Sequence, residues 1–381
     1  TIKELDLARR NILMRILFYF PTSESSVSLE TLMEEFSNLG HEVHLLGWEA
    51  KGPIHQRVEE FGVKTNVHQV EAGSSLPFYL NHLKYLVGYV KSNQIDLVYS
   101  HTQPVNFISV FAQYFTRAKF YICRHHSDYI MKGSNRNAKL FDRIINRLGR
   151  RFIVPSKKVF HQLVDVEGVN NKEVRLINYA YRFENYPEID QPRIDEIRKE
   201  ANTELLLCTV SRFIPCKRYD VLIKCIKDLV DEGLSLKLLI LGNGPLEKDS
   251  RQLVRELGVE KQVVFVGFTR EVLNYMAAAD LIVHFSDSEA SNSVVKEAGL
   301  LEKRVAVCED VGDFDDYIQD ELEGFKLDKE NPSDDFKRVV RNLSQDTALY
   351  ADMGKNLKAS VLKNFSVENV IEAYSEVLPE K

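Results

Sequence analysis

Two glutamates after a strand-like segment are the strongest chemical signal in the chain. Glu289 lies in the Ser/Asn-rich run 286–293, and Glu297 lies about one turn into the helix that this run opens. A helix that begins at Asn292 or Ser293 presents amide N–H groups and a positive dipole end, which suit a phosphate. A carboxylate before such a helix can accept hydrogen bonds from sugar hydroxyls, and one inside it can hold a ribose diol. Read alone, the segment is equally typical of a helix with an acidic first turn.

Two cations follow another strand-like segment. Arg212 and Lys217 stand five residues apart in the run 209–220, between a strand and the next helix. Ligands of open α/β sheets bind at the carboxyl ends of the strands, so both side chains can face one anion there. At ~4 Å and an effective dielectric near 20, each charge contributes on the order of 4 kcal/mol of attraction. Taken alone, such loop cations are more often solvated surface.

The two patterns together resemble the family 4 retaining glycosyltransferases of the GT-B fold, also called glycosyl transferases group 1. The resemblance rests on the paired glutamates with seven residues between them and on the Arg-x4-Lys loop, and it spans about residues 14–375. Three further segments are similar to motifs of that family, namely Gly242-Asn243-Gly244-Pro245, Val266-Gly267-Phe268 and Phe152-Ile153-Val154-Pro155-Ser156-Lys157.

The resemblance implies specific roles. Arg212 and Lys217 bind the donor diphosphate, Glu297 binds ribose hydroxyls, and Glu289 binds hydroxyls of the donor sugar. The other implied donor-binding residues are Asn292, Ser293 and Val294 at the phosphate, Gly267 and Phe268 beside the nucleobase, and Gly242 and Asn243. The implied reaction retains anomeric configuration, and the leaving diphosphate itself can take the acceptor proton. The donor is a nucleotide-diphosphate sugar, and no cofactor or metal is implied.

Adjacent histidines end a strand-like segment in the first half of the chain. His125 and His126 lie where the family carries a histidine near the reacting sugar, and we favour His125 while keeping His126. A histidine can donate to a sugar hydroxyl or change its charge near neutral pH. A pair at a strand end can equally be packed and hydrogen-bonded without a catalytic role.

Two segments depart from the family pattern. The loop 21–26 contains no glycine where the family has a Gly-Gly loop that lets the backbone approach the donor phosphate. The family's Val-Gly-Gly turn is Val311-Gly312-Asp313 here. Asp313 and Asp315 form an Asp-x-Asp pattern, but so short a pattern is common in an acidic chain, and we expect no metal site.

A basic amphipathic stretch covers residues 132–151. The stretch contains seven Lys and Arg residues and a single acidic residue, Asp142, with apolar residues between them. Such a helix could rest on an anionic membrane and reach a lipid-linked glycan. Its apolar face could equally belong to the core, with the basic face solvated.

Alternating strand and helix patterns predict an α/β protein with two Rossmann-like domains. The resemblance implies that they form the GT-B fold, in which the two parallel sheets face across a cleft. We predict an acceptor-side domain over 1–185, a nucleotide-sugar domain over 186–365, and a terminal helix over 366–381 that packs back on the first domain. The Pro-containing stretch 184–203 has the composition of a crossing between them. Strands are expected at 14–20, 43–48, 64–70, 95–100, 119–124 and 151–155, then at 204–211, 236–241, 263–267, 281–285 and 304–308.

The composition of the chain bears on the cellular location of the protein and on its partners. The chain of 381 residues has 5 cysteines with no Cys-x-x-Cys pair and no long apolar run, which favours a cytoplasmic protein, with the inner membrane face as a further option. Residues 1–185 carry 24 Lys and Arg against 18 Asp and Glu, while the whole chain has a net charge of −6. The first half therefore suits an anionic surface or acceptor, whereas nucleic acid is not expected as a partner.

The predicted activity is transfer of a sugar from a nucleotide-diphosphate sugar to a hydroxyl of a glycan or lipid-linked acceptor, in the synthesis of cell-surface glycans or glycoconjugates. A sugar-nucleotide epimerase can share this architecture and donor pocket without an acceptor cleft. A nucleotide-sugar-binding protein that has lost turnover is a non-catalytic alternative, which the altered glycine loop would explain.

Overall fold

A computed structural model of the chain describes residues 13–70, 76–126, 136–346, 348 and 350–378. The chain divides into two compact units. The first comprises Thr1–Arg182 and Phe365–Lys381, and the second comprises Phe183–Asn364. No helix in the described parts of the chain is long and apolar enough to cross a membrane.

The first unit is built on a parallel sheet of seven strands in the order β3-β2-β1-β4-β5-β6-β7. The strands are β1 Arg15–Tyr19, β2 Glu42–Gly47, β3 Lys64–Val67, β4 Leu97–His101, β5 Lys119–Cys123, β6 Phe152–Val154 and β7 Val174–Leu176. The six predicted strands are confirmed within a few residues. The seventh, β7, is a three-residue edge strand, too short to show alternation in the sequence.

Helices join these strands in the pattern of βαβ units. They are α1 Val27–Asn38, α2 Pro53–Glu59, α3 Leu76–Ser92, α4 Gln103–Ala112, α5 Arg136–Leu148 and α6 Lys157–His161, which continues as a π-helix over Gln162–Val166. The last helix of the chain, Val367–Val377, also belongs to this unit. Its buried face, which includes Val370 and Tyr374, packs in the same core as Phe18 and Phe36.

The second unit has a parallel sheet of six strands in the order β10-β9-β8-β11-β12-β13. The strands are β8 Leu205–Val210, β9 Leu236–Leu241, β10 Val263–Gly267, β11 Leu281–His284, β12 Arg304–Cys308 and β13 Phe325–Leu327. The helices are α7 Gln191–Ala201, α8 Tyr219–Asp231, α9 Glu247–Leu257, α10 Val272–Ala278, α11 Ser293–Leu300, α12 Phe314–Tyr317, α13 Pro332–Gln345 and α14 Met353–Phe365, and the terminal helix Val367–Val377 is α15.

Most of the stretch 184–203, which we predict as the crossing between the domains, forms helix α7. Asp190 caps this helix by accepting a hydrogen bond from the amide of Arg193, and Pro192 stands in the first turn, where a missing N–H costs nothing. Ile194 and Ile197 are buried. Pro192, one of the two prolines that suggested a crossing, is therefore the second residue of a helix.

Parallel pairing brings the carboxyl ends of all six strands of the second sheet to one edge. The loops after β8, β9, β10, β11 and β12 leave the sheet at that edge. The core below contains Leu207, Phe213, Ile240 and Val283. The predicted donor-site residues are all in or beside these five loops, on a rigid base.

Candidate active site

The loop after β11 enters helix α11 through a side-chain cap. Asn292 has extended backbone geometry, and its side-chain oxygen accepts a hydrogen bond of 3.0 Å from the amide of Val295. The amides of Ser293 and Val294 lie in the same first turn, which has no carbonyl partners within the helix. The N-terminus predicted at Asn292 or Ser293 is therefore present, with Asn292 as its cap.

Three donors converge on Glu289. Its Oε1 accepts hydrogen bonds from His284 Nε2 at 2.7 Å, from Asn292 Nδ2 at 3.2 Å and from Lys217 Nζ. A carboxylate only accepts, so Nε2 of His284 carries the proton. Burial alone would raise the pKa of Glu289, but the hydrogen bond from His284 and the charge of Lys217 lower it to about 2. Burial lowers the pKa of His284, so Lys217 is the cation of this group.

The loop after β8 is fastened to the loop after β11. The amide of Asp287 donates to the carbonyl of Cys216 at 2.9 Å. Arg218, in the left-handed region at φ +49°, donates to the Phe285 carbonyl at 2.8 Å and the Lys329 carbonyl at 2.6 Å. These bonds fix Lys217 beside Glu289. The other predicted cation, Arg212, is solvent-exposed on the same loop.

Glycines let the loop after β9 lie directly on the loop after β8. A Cβ at Gly242, where φ is +127°, would come within 2.1 Å of the Ser211 carbonyl oxygen, so no other residue fits without moving that backbone. The backbone carbonyl of Asn243 accepts a hydrogen bond from the amide of Phe213 at 2.9 Å. The amide of Gly242 donates to the Gly267 carbonyl at 2.9 Å, and the adjacent Phe268 is 78% exposed. The predicted nucleobase-side residues thus share the sheet edge with Lys217.

Glu297 differs from Glu289 in its environment. Burial raises the pKa of Glu297 to about 7, although a hydrogen bond with Ser293 and the charge of Lys296 oppose the rise. Burial, with the charge of Glu297, also raises the pKa of Tyr186. Carboxyl groups with a pKa raised in this way are enriched at functional sites, so Glu297 stays a candidate.

Glu297→Gln is expected to stabilise the second unit at high pH. Below pH 4.5 the carboxyl is protonated in both the folded and unfolded chain. Between pH 4.5 and 7 the unfolded chain ionises first, so the wild type loses stability that glutamine does not lose. Because Glu297 is only half-buried, solvent screens part of this penalty, and we expect a gain of about 2 kcal/mol at pH 8.

Urea unfolding of the wild type and Glu297→Gln at pH 4 and pH 8 measures this gain. The exposed Glu256→Gln is the matched control, and it should leave the free energy of unfolding unchanged at both pH values. A Glu297→Gln effect of equal size at both pH values would contradict the raised pKa.

The two histidines of the first unit belong to different hydrogen-bond networks. His125 contacts His101 Nδ1 through Nε2 at 2.8 Å and the Tyr179 hydroxyl through Nδ1 at 2.5 Å. Burial, with the neighbouring His126, lowers the pKa of His125 to about 4, so its ring is neutral at pH 7. Both ring nitrogens of His125 thus already have partners, and His101 and Tyr179 are functional candidates that sequence reasoning missed.

His126 bonds to Asp142 on helix α5, with 3.0 Å between Nε2 and Oδ2. The buried Arg124 also faces Asp142, and it makes two hydrogen bonds with Glu167, at 3.0 and 2.7 Å. This network ties the basic helix to the end of β5. The carboxylate of Asp142, the single acidic residue of the basic stretch, is therefore paired with residues of the first unit.

The apolar face of the basic helix packs within the first unit. Phe141 stacks on Phe107 with ring centroids 4.2 Å apart, and Ile145 is buried. Arg143 and Arg147 are exposed, as is half of Leu140. Residues 132–135 of the predicted stretch lie outside the described residues. The described part thus has a core-facing apolar side and a solvated cationic side.

The glycine-free loop 21–26 is held by side chains. The amide and hydroxyl of Ser23 donate to Glu49 at 2.9 and 3.2 Å, and the amide of Ser26 donates to Glu30 at 2.9 Å. A Cβ at Gly52 would come within 2.8 Å of Ser23, so this part of the loop is closely packed.

The Asp-x-Asp pattern does not form a joint site. Asp313 is fully buried against Lys296, whereas Asp315 pairs with Lys326 at 2.8 Å. Across the described ranges, no three His, Cys, Asp or Glu residues are grouped so that they could hold a metal ion. The two aspartates therefore have separate structural partners.

Known proteins match both halves of the chain. The family model for glycosyltransferase family 4 matches residues 25–180, and the model for glycosyl transferases group 1 matches residues 190–360. An N-acetyl-alpha-D-glucosaminyl L-malate synthase of Bacillus anthracis is 25% identical over 267 residues, which cover 68% of each chain. A poly(ribitol-phosphate) alpha-N-acetylglucosaminyltransferase of Staphylococcus aureus is 24% identical over 48% of this chain, a match that spans only 37% of that enzyme.

Solved structures share the fold along nearly the whole chain. Anabaena HepE, in complex with UDP and glucose, superposes with a TM-score of 0.81 at 20% identity over 96% of this chain and 99% of its own. WaaG, a glycosyltransferase of lipopolysaccharide biosynthesis, gives a TM-score of 0.72 at 16% identity over 96% of this chain and 100% of its own. With both family models matched and two parallel-sheet units present, the chain belongs to the GT-B glycosyltransferases, of the family 4 and glycosyl transferases group 1 type.

Proposed function

We propose that the chain is a retaining glycosyltransferase that moves a sugar from a nucleotide-diphosphate sugar to a hydroxyl of a glycan or lipid-linked acceptor. The convergence of Lys217, His284 and Asn292 on Glu289, beside the first turn of α11, carries the proposal. A fixed carboxylate beside helix amides and a cation supports this proposal, because the carboxylate would bind sugar hydroxyls and the amides and cation would bind a diphosphate. In this proposal the second unit is the donor domain, and the first unit, which includes helix α15, is the acceptor domain.

The proposed chemistry rests on stabilising the leaving group. Lys217, Arg212 and the amides of Ser293 and Val294 would neutralise the charge that grows on the diphosphate as its bond to the sugar breaks. The acceptor hydroxyl would attack from the same face, and the departing phosphate would take its proton. These groups supply the positive charge that the reaction needs, so the proposal includes no metal ion.

The proposed donor is a UDP-sugar. Anabaena HepE binds UDP and glucose in the same fold, which supports UDP as the first nucleotide to test. Gly267 and the exposed Phe268 would contact the base, and Gly242 and Asn243 would line the neighbouring loop. Glu297 would bind the ribose hydroxyls, and its ionised form, in which both oxygens only accept, would bind them better than its protonated form.

The proposed acceptor belongs to cell-surface glycan or glycoconjugate synthesis. One relative acts on poly(ribitol-phosphate), and another, from Campylobacter jejuni, is named for a diphospho-undecaprenol acceptor and is 25% identical over 66% of this chain. His125 and His126 would lie near the reacting sugar. We therefore also propose a cytoplasmic location, with the inner face of the membrane as the place where a lipid-linked acceptor would be met.

Acceptor-dependent release of nucleoside diphosphate tests the proposed activity. Purified protein is incubated with UDP-sugars, with and without undecaprenyl-diphosphate glycans or poly(ribitol phosphate), and the anomer of the product is read by NMR. We expect release only with an acceptor, and an unchanged anomeric configuration. Conversion of the donor to its epimer without acceptor would establish an epimerase, and binding without turnover would establish a non-catalytic protein.

Charge reversal on the basic helix tests the membrane part of the proposal. Arg143→Glu/Arg147→Glu is expected to weaken binding to vesicles of anionic phospholipid at least tenfold, because each basic residue near such a surface contributes about 1 kcal/mol. Lys248→Glu/Lys261→Glu, which changes the same charge on exposed residues of the second unit, is the control. Equal vesicle binding of both variants in a sedimentation assay would rule out this surface.

A further inference from the structure

A fully buried ion pair lies beneath the proposed donor loop. Lys296 and Asp313 are both 0% exposed, with 2.7 Å between Nζ and Oδ2. The ammonium group of Lys296 also donates to Ser291 Oγ at 3.0 Å and to the carbonyl oxygen of Asn292 at 2.8 Å. Its three hydrogens thus match three acceptors.

We propose that Lys296 is a positioning residue that aims the amide of Ser293 at the donor diphosphate. This inference rests on the proposed function, and it assigns a role to a residue that contacts no substrate itself. Asn292 and Ser293 share a trans peptide bond, in which the C=O and the following N–H point in opposite directions. The Asn292 carbonyl, as that of the N-cap residue, points along helix α11, and the bond from the Lys296 ammonium holds it there more firmly, so the Ser293 N–H points away from the buried ammonium.

The same pair connects the donor loop to the segment that follows β12. Asp313 also accepts a hydrogen bond from Ser291 Oγ at 2.5 Å. Its neighbour Gly312 packs so closely that a Cβ there would lie 2.7 Å from Glu289 Cβ. On the other side, Phe314 meets the ring of His284 edge-on at 5.8 Å. Asp313 stands where the family has a second glycine. Its carboxylate supplies the negative charge that holds the Lys296 ammonium under the loop.

Two variants separate the role of Lys296 in aiming the peptide from the role of the ion pair in stability. Asp313→Asn removes the carboxylate but leaves an amine that can donate to the Asn292 carbonyl. Lys296→Met/Asp313→Asn removes that donor as well, at similar volume and without leaving an unpaired buried charge, and such neutral replacements are commonly tolerated. The two variants differ only in the group that holds the carbonyl.

The experiment is calorimetric binding of UDP, with GDP and ADP in parallel. We expect Asp313→Asn to bind within threefold of the wild type and the double variant to bind at least tenfold more weakly. Arg198→Met/Asp280→Asn, which removes an ion pair near the amino end of β11, should bind as the wild type does. Equal affinities of Asp313→Asn and the double variant would overturn the role of Lys296. Failure of the wild type to bind any of the three would instead refute the proposed donor site.

If the double variant does not fold, a measurement on the wild-type protein tests whether the Ser293 amide faces the phosphates. The amide resonance of Ser293 is followed by ¹⁵N NMR during titration with whichever of the three nucleotides binds. We expect a shift that saturates with the calorimetric affinity. A resonance that does not move at saturation would show that this amide does not face the phosphates.

Discussion

Replacing Glu289 with glutamine is expected to lower kcat by a factor of about 10²–10³, the usual cost of removing one preorganised polar group from a reacting centre. The carboxylate is ionised across the working pH range, because His284 and Lys217 hold its pKa near 2 against the effect of burial. Glutamine keeps the volume, but it removes the charge, and its amide group can meet Lys217 only through the oxygen. The proposed contact with the donor sugar and the position of Lys217 would weaken together.

The measurement is steady-state turnover of a UDP-sugar with the acceptor that supports release of UDP. Glu256→Gln, an exposed change of the same type in the same unit, is the control and should keep wild-type turnover. Thermal unfolding of both variants checks that the fold is intact. A kcat for Glu289→Gln within threefold of the wild type would remove Glu289 from the proposed chemistry.

Replacing Lys217 with methionine is expected to lower kcat about 10²-fold, with a smaller change in KM for the donor. The ammonium group lies in a half-buried position beside Glu289, where side-chain exposures of 10% and 14% limit screening by water. Its attraction for the diphosphate grows as the bond to the sugar breaks, so its loss affects the transition state more than the bound donor.

Lys224→Met is the control for this change, because Lys224 is 60% exposed on the helix that follows the same loop. Raising the ionic strength should hardly change the ratio of wild-type to Lys217→Met turnover, since the proposed contact is partly buried. An unchanged kcat with a raised donor KM would mean that Lys217 contributes only to binding of the ground state.

The sequence predicts the position of the proposed donor loops well, because their residues are close together along the chain. Glu289 and Glu297 share a single loop and helix, and Arg212 and Lys217 share another loop, so spacing alone brings each pair to the sheet edge. The edge strand β13 and helix α7 were harder to foresee. The first is only three residues long, and the second has in its first turn a proline that also suits a crossing between domains.

The supporting residues could not be identified from local patterns. His284 is the last residue of a buried strand, where a single polar side chain gives no signal of its partner five residues later. Arg218 follows Lys217 and looks like a second surface cation, yet it binds backbone carbonyls. Lys296 and Asp313 are 17 residues apart and meet only when α11 packs against the turn after β12. Only tertiary contacts of this kind show which polar residues support the proposed site.

In the proposed function, the second unit binds a nucleotide-diphosphate sugar through phosphate contacts at Lys217 and the first turn of α11. Thermal unfolding of the wild type and Lys217→Met with a panel of nucleotide sugars tests it most directly. A ligand at a hundred times its dissociation constant adds about 2.7 kcal/mol of stability, which gives a clear rise in the unfolding temperature. We expect such a rise for the wild type with at least one nucleotide sugar, and a much smaller rise for Lys217→Met. Equal rises in both proteins, or no rise with any nucleotide sugar, would contradict it.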